Sequence, residues 1–256
     1  MTPIVLDHIA IGARQLADAP DFLVGELGGV PSYGGPTGDY VFWTWEYPGG
    51  ARLEVLEPEG PPGGFLHRFL ERNGPGIHHI TFYVRDLDAM CDRARAGGHS
   101  IVEGREGSEG YREAFLHPKT AMGIVVQLTV AHDLDDDGEH RGPPGGQAPP
   151  NPAAASPPAQ VIGLRMRSSD RERALRQWGE LLEGEVETDD GNELTFRWPE
   201  SAMRVRVMID AGSADRSEAI EIAAPPAPIS EEPHPLLGVR FDVLEGERAS
   251  LSSTAR

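Results

Sequence analysis

LDHIAIGARQLADAPDFL, residues 6–23, and IHHITFYVRDLDAMCDRA, residues 77–94, decide the reading of this chain. Each is a short alternating strand, then a turn with Asp or Arg, then a helical pattern, and each strand opens on a histidine, His8 or His79. Internal repeats of this kind outrank local propensity as a clue to architecture. The pattern returns, more weakly, in VIGLRMRSSDRERALRQW (161–178) and LGVRFDVLEGERASL (237–251).

Three extended stretches follow the first helical pattern, at Gly29–Ser32, Tyr40–Glu46 and Ala51–Leu56, punctuated by Gly34-Gly35-Pro36 and Tyr47-Pro48-Gly49-Gly50. Three more follow the second, at Ser100–Glu103, Tyr111–Leu116 and Gly123–Val130. Each unit reads as strand, helix and three strands. The expected fold is therefore α+β, with tandem βαβββ modules building curved mixed sheets. Residues 1–131 hold two modules, and 132–159 form an acidic and then Pro-rich linker. Residues 160–256 are a shortened, degenerate copy, with a third unit over about 160–223 and a fourth from Leu237 that ends after its helix.

Strand periodicity converts the repeat into a site. Side chains alternate faces along a strand. With His8 toward a cleft, Ile9 and Ile11 face the helices. The same holds for Leu53 and Val55 around Glu54, for Ile80, Phe82 and Val84 after His79, and for Val126 and Leu128 around Gln127. The pairs His8/Glu54 and His79/Gln127 occupy matching places in the two modules. A buried carboxylate among imidazoles and an amide is costly without a cation or full hydrogen bonding. Nitrogen and oxygen donors in this mix suit one divalent metal ion: Zn, Co, Mn, Ni or Fe.

The same residues carry a resemblance. The runs LDHIAIGA, RLEVLEP, FLHRFLERNGPGIHHITFYVRDLD and FLHPKTAMGIVVQL make residues 1–131 resemble the vicinal oxygen chelate (glyoxalase/bleomycin resistance/dioxygenase) superfamily, and most of all its methylmalonyl-CoA epimerases. The resemblance implies a glyoxalase-like fold, a metal on His8, Glu54, His79 and Gln127, and proton transfer next to a carbonyl. The epimerases carry His, Gln, His and Glu in that order, so here Gln and Glu have changed places. Their final Glu also moves a proton, which Gln127 cannot do. Glu54 then becomes the expected base, and the region of the epimerases' second base falls near Gly38–Asp39, making Asp39 a candidate and Glu46 a weaker one. Within the same superfamily a glyoxalase-type lyase, a ring-cleaving dioxygenase and a metal-free resistance protein that binds drugs stay open as alternatives.

Trp43 and Trp45 share one strand face and either line a substrate cleft or belong to the core. His117 precedes Pro118 at a turn and can touch substrate, and Lys119 can meet an anionic one. By the repeat, His8 corresponds to Gly163, His79 to Gly238 and Glu54 to Glu221, so the second half is expected to hold no metal and to cover the first sheet or shape its cleft. His78, next to His79, is expected to point to the opposite face.

The remaining features are bland. The 256 residues carry a net charge of −18, which disfavours nucleic acid and anionic membrane surfaces. A single cysteine, Cys91, allows no intrachain disulfide and, with no apparent His/Asn partnership, is not expected to be a nucleophile. No signal peptide and no apolar run of membrane-spanning length is evident, so the expectation is a cytoplasmic protein whose partner is a small molecule with adjacent oxygens. A homodimer is an admissible assembly. The run 133–138 mimics the start of a calcium loop, but Pro144 stands where a bidentate Glu is needed.

Overall fold

The computed structural model describes residues 4–106, 111–130 and 146–245, without the side chains of residues 103, 105 and 106. The acidic run 132–139, the calcium-like stretch 133–144 and the helix expected at the end of the fourth unit lie outside the described residues.

The first half forms one eight-stranded sheet. Its strands are β1 (Val5–Gly12), β2 (Val30–Pro36), β3 (Tyr40–Tyr47), β4 (Ala51–Pro58), β5 (Gly76–Tyr83), β6 (Ile101–Glu106), β7 (Arg112–Leu116) and β8 (Val125–Val130). Their order is β2-β3-β4-β1-β5-β8-β7-β6, two four-stranded modules meeting at β1 and β5. The second half forms a six-stranded sheet from β9 (Gln160–Ser168), β10 (Glu185–Asp189), β11 (Glu193–Arg197), β12 (Arg204–Ile209), β13 (Arg216–Ala223) and β14 (Phe241–Leu244), ordered β10-β11-β12-β9-β13-β14. These are the expected βαβββ modules, the last one shortened.

The topology corrects how that shortening falls. The third module is complete at β12, and β13 takes the place that β5 has in the first sheet. β14 pairs parallel with β13 as β8 pairs parallel with β5. The fourth module therefore begins at β13, not at Leu237, and residues 224–240 replace a helix and two strands. Glu221 consequently stands on the counterpart of the His79 strand rather than of the Glu54 strand. At Gly163, the counterpart of His8, the φ is +153°, and any Cβ would run into the Arg204 carbonyl on the paired strand. Backbone approach, not chance drift, keeps a side chain out of that position.

Short-range chemistry sets the helices. In α1 (Pro20–Leu23) a proline opens a helix of only four residues, shorter than the sequence pattern suggested. Helix α2 (Phe65–Asn73) was not evident from the strand–helix repeat. It ends at Gly74, φ +72°, and seats Leu66 and Leu70 against Ala10 and Leu56, with Tyr40, Phe42 and Phe69 around them. Helix α3 (Leu87–Ala96) starts at Asp86, whose carboxylate accepts the Ala89 N–H at 3.0 Å, and buries Leu87, Met90, Cys91 and Ala94. Helix α4 (Arg171–Ala174), capped by Asp170, continues as a π-helical stretch over Leu175–Leu181 that buries Trp178.

The chain divides into two compact units, residues 1–9, 78–139 and 163–218 in one, and 10–77, 140–162 and 219–256 in the other. In the first, Phe82 of β5 packs on Trp198 and Trp178, ring centroids 4.9 and 6.3 Å away. The Trp198 indole N–H donates to the Leu182 carbonyl at 2.7 Å. In the second, Phe22 meets Phe241 and His234, and the amides of Ala155 and Ala159 bond the carbonyls of Val24 and Leu27. Among the described residues no helix is long and apolar enough to cross a membrane.

Candidate metal centre

Four consecutive strands of the first sheet, β4-β1-β5-β8, carry Glu54, His8, His79 and Gln127. Their flanking residues Leu53, Val55, Ile9, Ile11, Ile80, Phe82, Val126 and Leu128 are fully buried, as alternation requires when the opposite face is the core. One ligand atom each from His8, Glu54 and His79 lies within 4.8 Å of the others, and all three residues are buried.

A second layer orients these groups. Asp7 Oδ2 lies 2.7 Å from His8 Nδ1, the carboxylate–histidine arrangement that fixes a ring and its tautomer. Thr81, two residues beyond His79 and on the same face, places its Oγ1 2.9 Å from His8 Nε2 and donates to Gln127 Oε1 at 2.7 Å. The Nδ1 atoms of His78 and His79 are 2.8 Å apart, so the His78 ring reaches back to its neighbour instead of serving the opposite face alone. Burial pulls His79 well below the ordinary imidazole range, with the charges of His78 and His8 adding to the effect. Burial also pulls His78 down to about 4. Both rings are therefore neutral near pH 7, the form that offers a lone pair to a metal. Two imidazoles and a carboxylate converging in a buried place fit a divalent cation with coordination positions left for substrate.

Gln127 joins the group through hydrogen bonds. It bonds His79 and Thr81, and its Nε2 donates to Glu113 Oε2 at 2.6 Å and to Tyr111 Oη at 3.2 Å. Glu113 and Tyr111 were missed in the sequence. Tyr111 in turn donates to Glu113 Oε2 at 3.0 Å.

The other candidates fall elsewhere. Trp43 and Trp45 pair across the ladder with Val55 and Leu53, on the face opposite Glu54, and the Trp45 indole reaches Asn151 at 3.4 Å. The structure therefore places them on the core side of β3. Glu46 shares the Glu54 face but is engaged by Arg52 and Ser32. Asp39 lies in the exposed turn between β2 and β3, outside the His8–Glu54–His79 group. His117 accepts the Lys119 N–H at 3.2 Å in the turn after β7, and Lys119 is exposed.

Comparison with known proteins identifies the family and the fold. Residues 7–115 match the family profile of the glyoxalase/bleomycin resistance protein/dioxygenase superfamily. The ethylmalonyl-CoA/methylmalonyl-CoA epimerase of Cereibacter sphaeroides is 34% identical over 131 residues, which are 48% of this chain and 95% of that protein. The mitochondrial methylmalonyl-CoA epimerase of Homo sapiens is 31% identical over 132 residues, 49% of this chain and 73% of that one. A mutant 4-hydroxymandelate synthase from Streptomyces coelicolor, at 14% identity, shares the fold across 88% of this chain and 72% of its own, with a TM-score of 0.58. The chain belongs to the glyoxalase/bleomycin resistance protein/dioxygenase superfamily, and its first half is similar to methylmalonyl-CoA epimerases.

Proposed function

We propose that this chain is a metal-dependent epimerase or isomerase that moves a proton at the carbon next to the carbonyl of an acyl-CoA. The observation that carries the reading is the buried convergence of His8, Glu54 and His79 within 4.8 Å. Similarity to two acyl-CoA epimerases supports the substrate class.

In this reading His8, Glu54 and His79 hold the cation, with Gln127 beside them. When bound, the cation supplies Lewis acidity toward adjacent oxygens of a substrate. Asp7 and His78 keep the two rings oriented, so little reorganisation is needed when substrate arrives. Glu54 is the carboxylate within this group that takes a proton from carbon. The second half, without a matching ligand set, serves as cover for the first. We place the protein in the cytoplasm, acting on a small molecule.

The test is elemental analysis of purified protein alongside proton exchange. One equivalent of divalent metal in the wild type, lost in His79→Ala, is expected. So is incorporation of solvent deuterium at the α-carbon of methylmalonyl-CoA or ethylmalonyl-CoA, seen by proton NMR. A wild type that stays metal-free after reconstitution ends the reading in favour of a binding protein. Oxygen uptake without deuterium incorporation transfers it to an oxygenase.

A further inference from the structure

We propose that Thr44 positions the Glu54 carboxylate for the cation, its hydroxyl donating to that group when the metal centre is filled. The inference rests on the metal-centre part of the proposed function and not on the choice of reaction.

The β3–β4 ladder makes the juxtaposition. The two strands run antiparallel, with Trp43 opposite Val55, Thr44 opposite Glu54 and Trp45 opposite Leu53. Period two puts the two tryptophans on the core side and leaves Thr44 and Glu54 together on the other face. Directly opposed residues of an antiparallel pair hold their Cβ atoms about 4.5–5.5 Å apart, close enough for a threonine hydroxyl to meet a glutamate carboxylate. Both residues lie in one compact unit, on strands whose pairing is unbroken from Tyr40 to Tyr47.

Burial makes the hydroxyl costly. Thr44 is 0% exposed, and its Oγ1 has no hydrogen-bond partner among the described residues. A hydroxyl taken out of water without a partner destabilises the fold, and valine would fill nearly the same shape on a strand without that penalty. The surrounding side chains of the ladder show where a partner comes from. Phe42 and its opposite, Leu56, are apolar and belong to the cluster under α2. Glu46 and its opposite, Arg52, pair with each other at 3.0 Å, and Ser32 donates to the same Glu46 oxygen. Glu54 is the acceptor that faces Thr44 across the ladder.

The chemistry of the centre gives the hydroxyl a use. A carboxylate that binds a cation is held in place by hydrogen bonds from behind, and losing such a partner weakens metal binding. Elsewhere in the centre the His8 ring has Asp7 and the Gln127 amide has Thr81. Thr44 does for Glu54 what those side chains do for theirs. The hydroxyl donates a hydrogen bond and no proton changes hands. Filling the centre and satisfying a buried hydroxyl are then one event. Removing the hydroxyl therefore relieves the fold and impairs the centre, two effects of opposite sign at one residue.

The experiment compares wild type, Thr44→Val and Thr44→Ser, each stripped with a chelator and reloaded with Zn(II) or Co(II). The readouts are metal affinity by chelator competition, the visible absorption of the Co(II) forms and the thermal midpoint of the stripped protein. Stripped Thr44→Val is expected to melt at or above the wild-type temperature, while its Zn(II) affinity falls about 10–100-fold and its Co(II) spectrum shifts. Thr44→Ser, which keeps the donor and loses a methyl, is expected to melt lower yet keep wild-type affinity and spectrum. A packing role would instead lower midpoint and affinity together in both variants, and that result overturns the assignment. Wild-type affinity and spectrum in Thr44→Val overturn it as well. So does a stripped Thr44→Val midpoint below wild type, which shows the hydroxyl tied elsewhere in the fold. A wild type that takes up neither metal overturns the metal centre itself and the inference with it.

Discussion

Replacing Phe82 by alanine tests the separation between the face that holds the fold and the face that holds the site. Phe82 is fully buried, edge-on to Trp198 at 4.9 Å with an interplanar angle of 63°, and 6.3 Å from Trp178. Phe→Ala in a packed core costs about 3–5 kcal/mol, the transfer of the ring plus the cavity it leaves. Collapse into that cavity is restricted here, because the Trp198 indole is tethered to the Leu182 carbonyl at 2.7 Å. Lost ring–ring contact adds roughly 0.5–1.5 kcal/mol beyond area. The expected cost is therefore in the upper part of the range, about 5 kcal/mol. Urea unfolding followed by tryptophan fluorescence measures it as a fall in midpoint at unchanged slope, with Trp178 and Trp198 as reporters in the same compact unit. Because His79 and Thr81 point to the other face, the folded variant should still bind one equivalent of metal. A cost below about 2 kcal/mol, or loss of metal well below the unfolding midpoint, refutes the assignment of faces.

Two further outcomes follow from the second layer of the centre. Asp7→Asn removes the carboxylate that holds His8 Nδ1 and should weaken metal binding about 10–100-fold, read by competition with a chelator; unchanged affinity means the pair does not orient the ligand. In metal-stripped protein the His78 pKa lies near 4 against an ordinary 6.5, so the native state binds fewer protons than the unfolded chain between those values. Stability should be complete above about pH 6.5 and decline as pH falls toward about 4, by up to about 3 kcal/mol. A flat urea midpoint between pH 7 and pH 4.5 would show that His78 is hydrated in the native state.

What could be read from the chain alone was whatever alternation and repetition encode. His8, Glu54, His79 and Gln127 are each set against aliphatic neighbours of opposite parity, and that parity is a local property of a strand. Glu113 has the same signature, between Arg112, Ala114 and Leu116 on one side and Tyr111 and Phe115 on the other. It stayed hidden because its hydrogen bond from Gln127 depends on the β7–β8 register, which the turn over 117–124 sets and no periodicity reports. The two tryptophans posed the converse problem. Trp43 and Trp45 plainly share a face, but only pairing with Val55 and Leu53 says which. Helix α2 was overlooked for a related reason, since FLHRFLERN lies outside the strand–helix unit that repeats. The start of the fourth module was misplaced because β13 lacks both the histidine and the following helix that marked β1 and β5.

The division into compact units bears on how such a chain can be cut or inherited. Each unit draws on both halves of the sequence, and Phe82 and Phe22, from the ligand-bearing half, have their aromatic neighbours in the other. A fragment ending near residue 130 would keep every proposed ligand yet bare the apolar side of the sheet that Trp178 and Trp198 now shield, a surface that invites aggregation. Selection can therefore hold the second half in place for the apolar surface it covers, without asking it to bind anything.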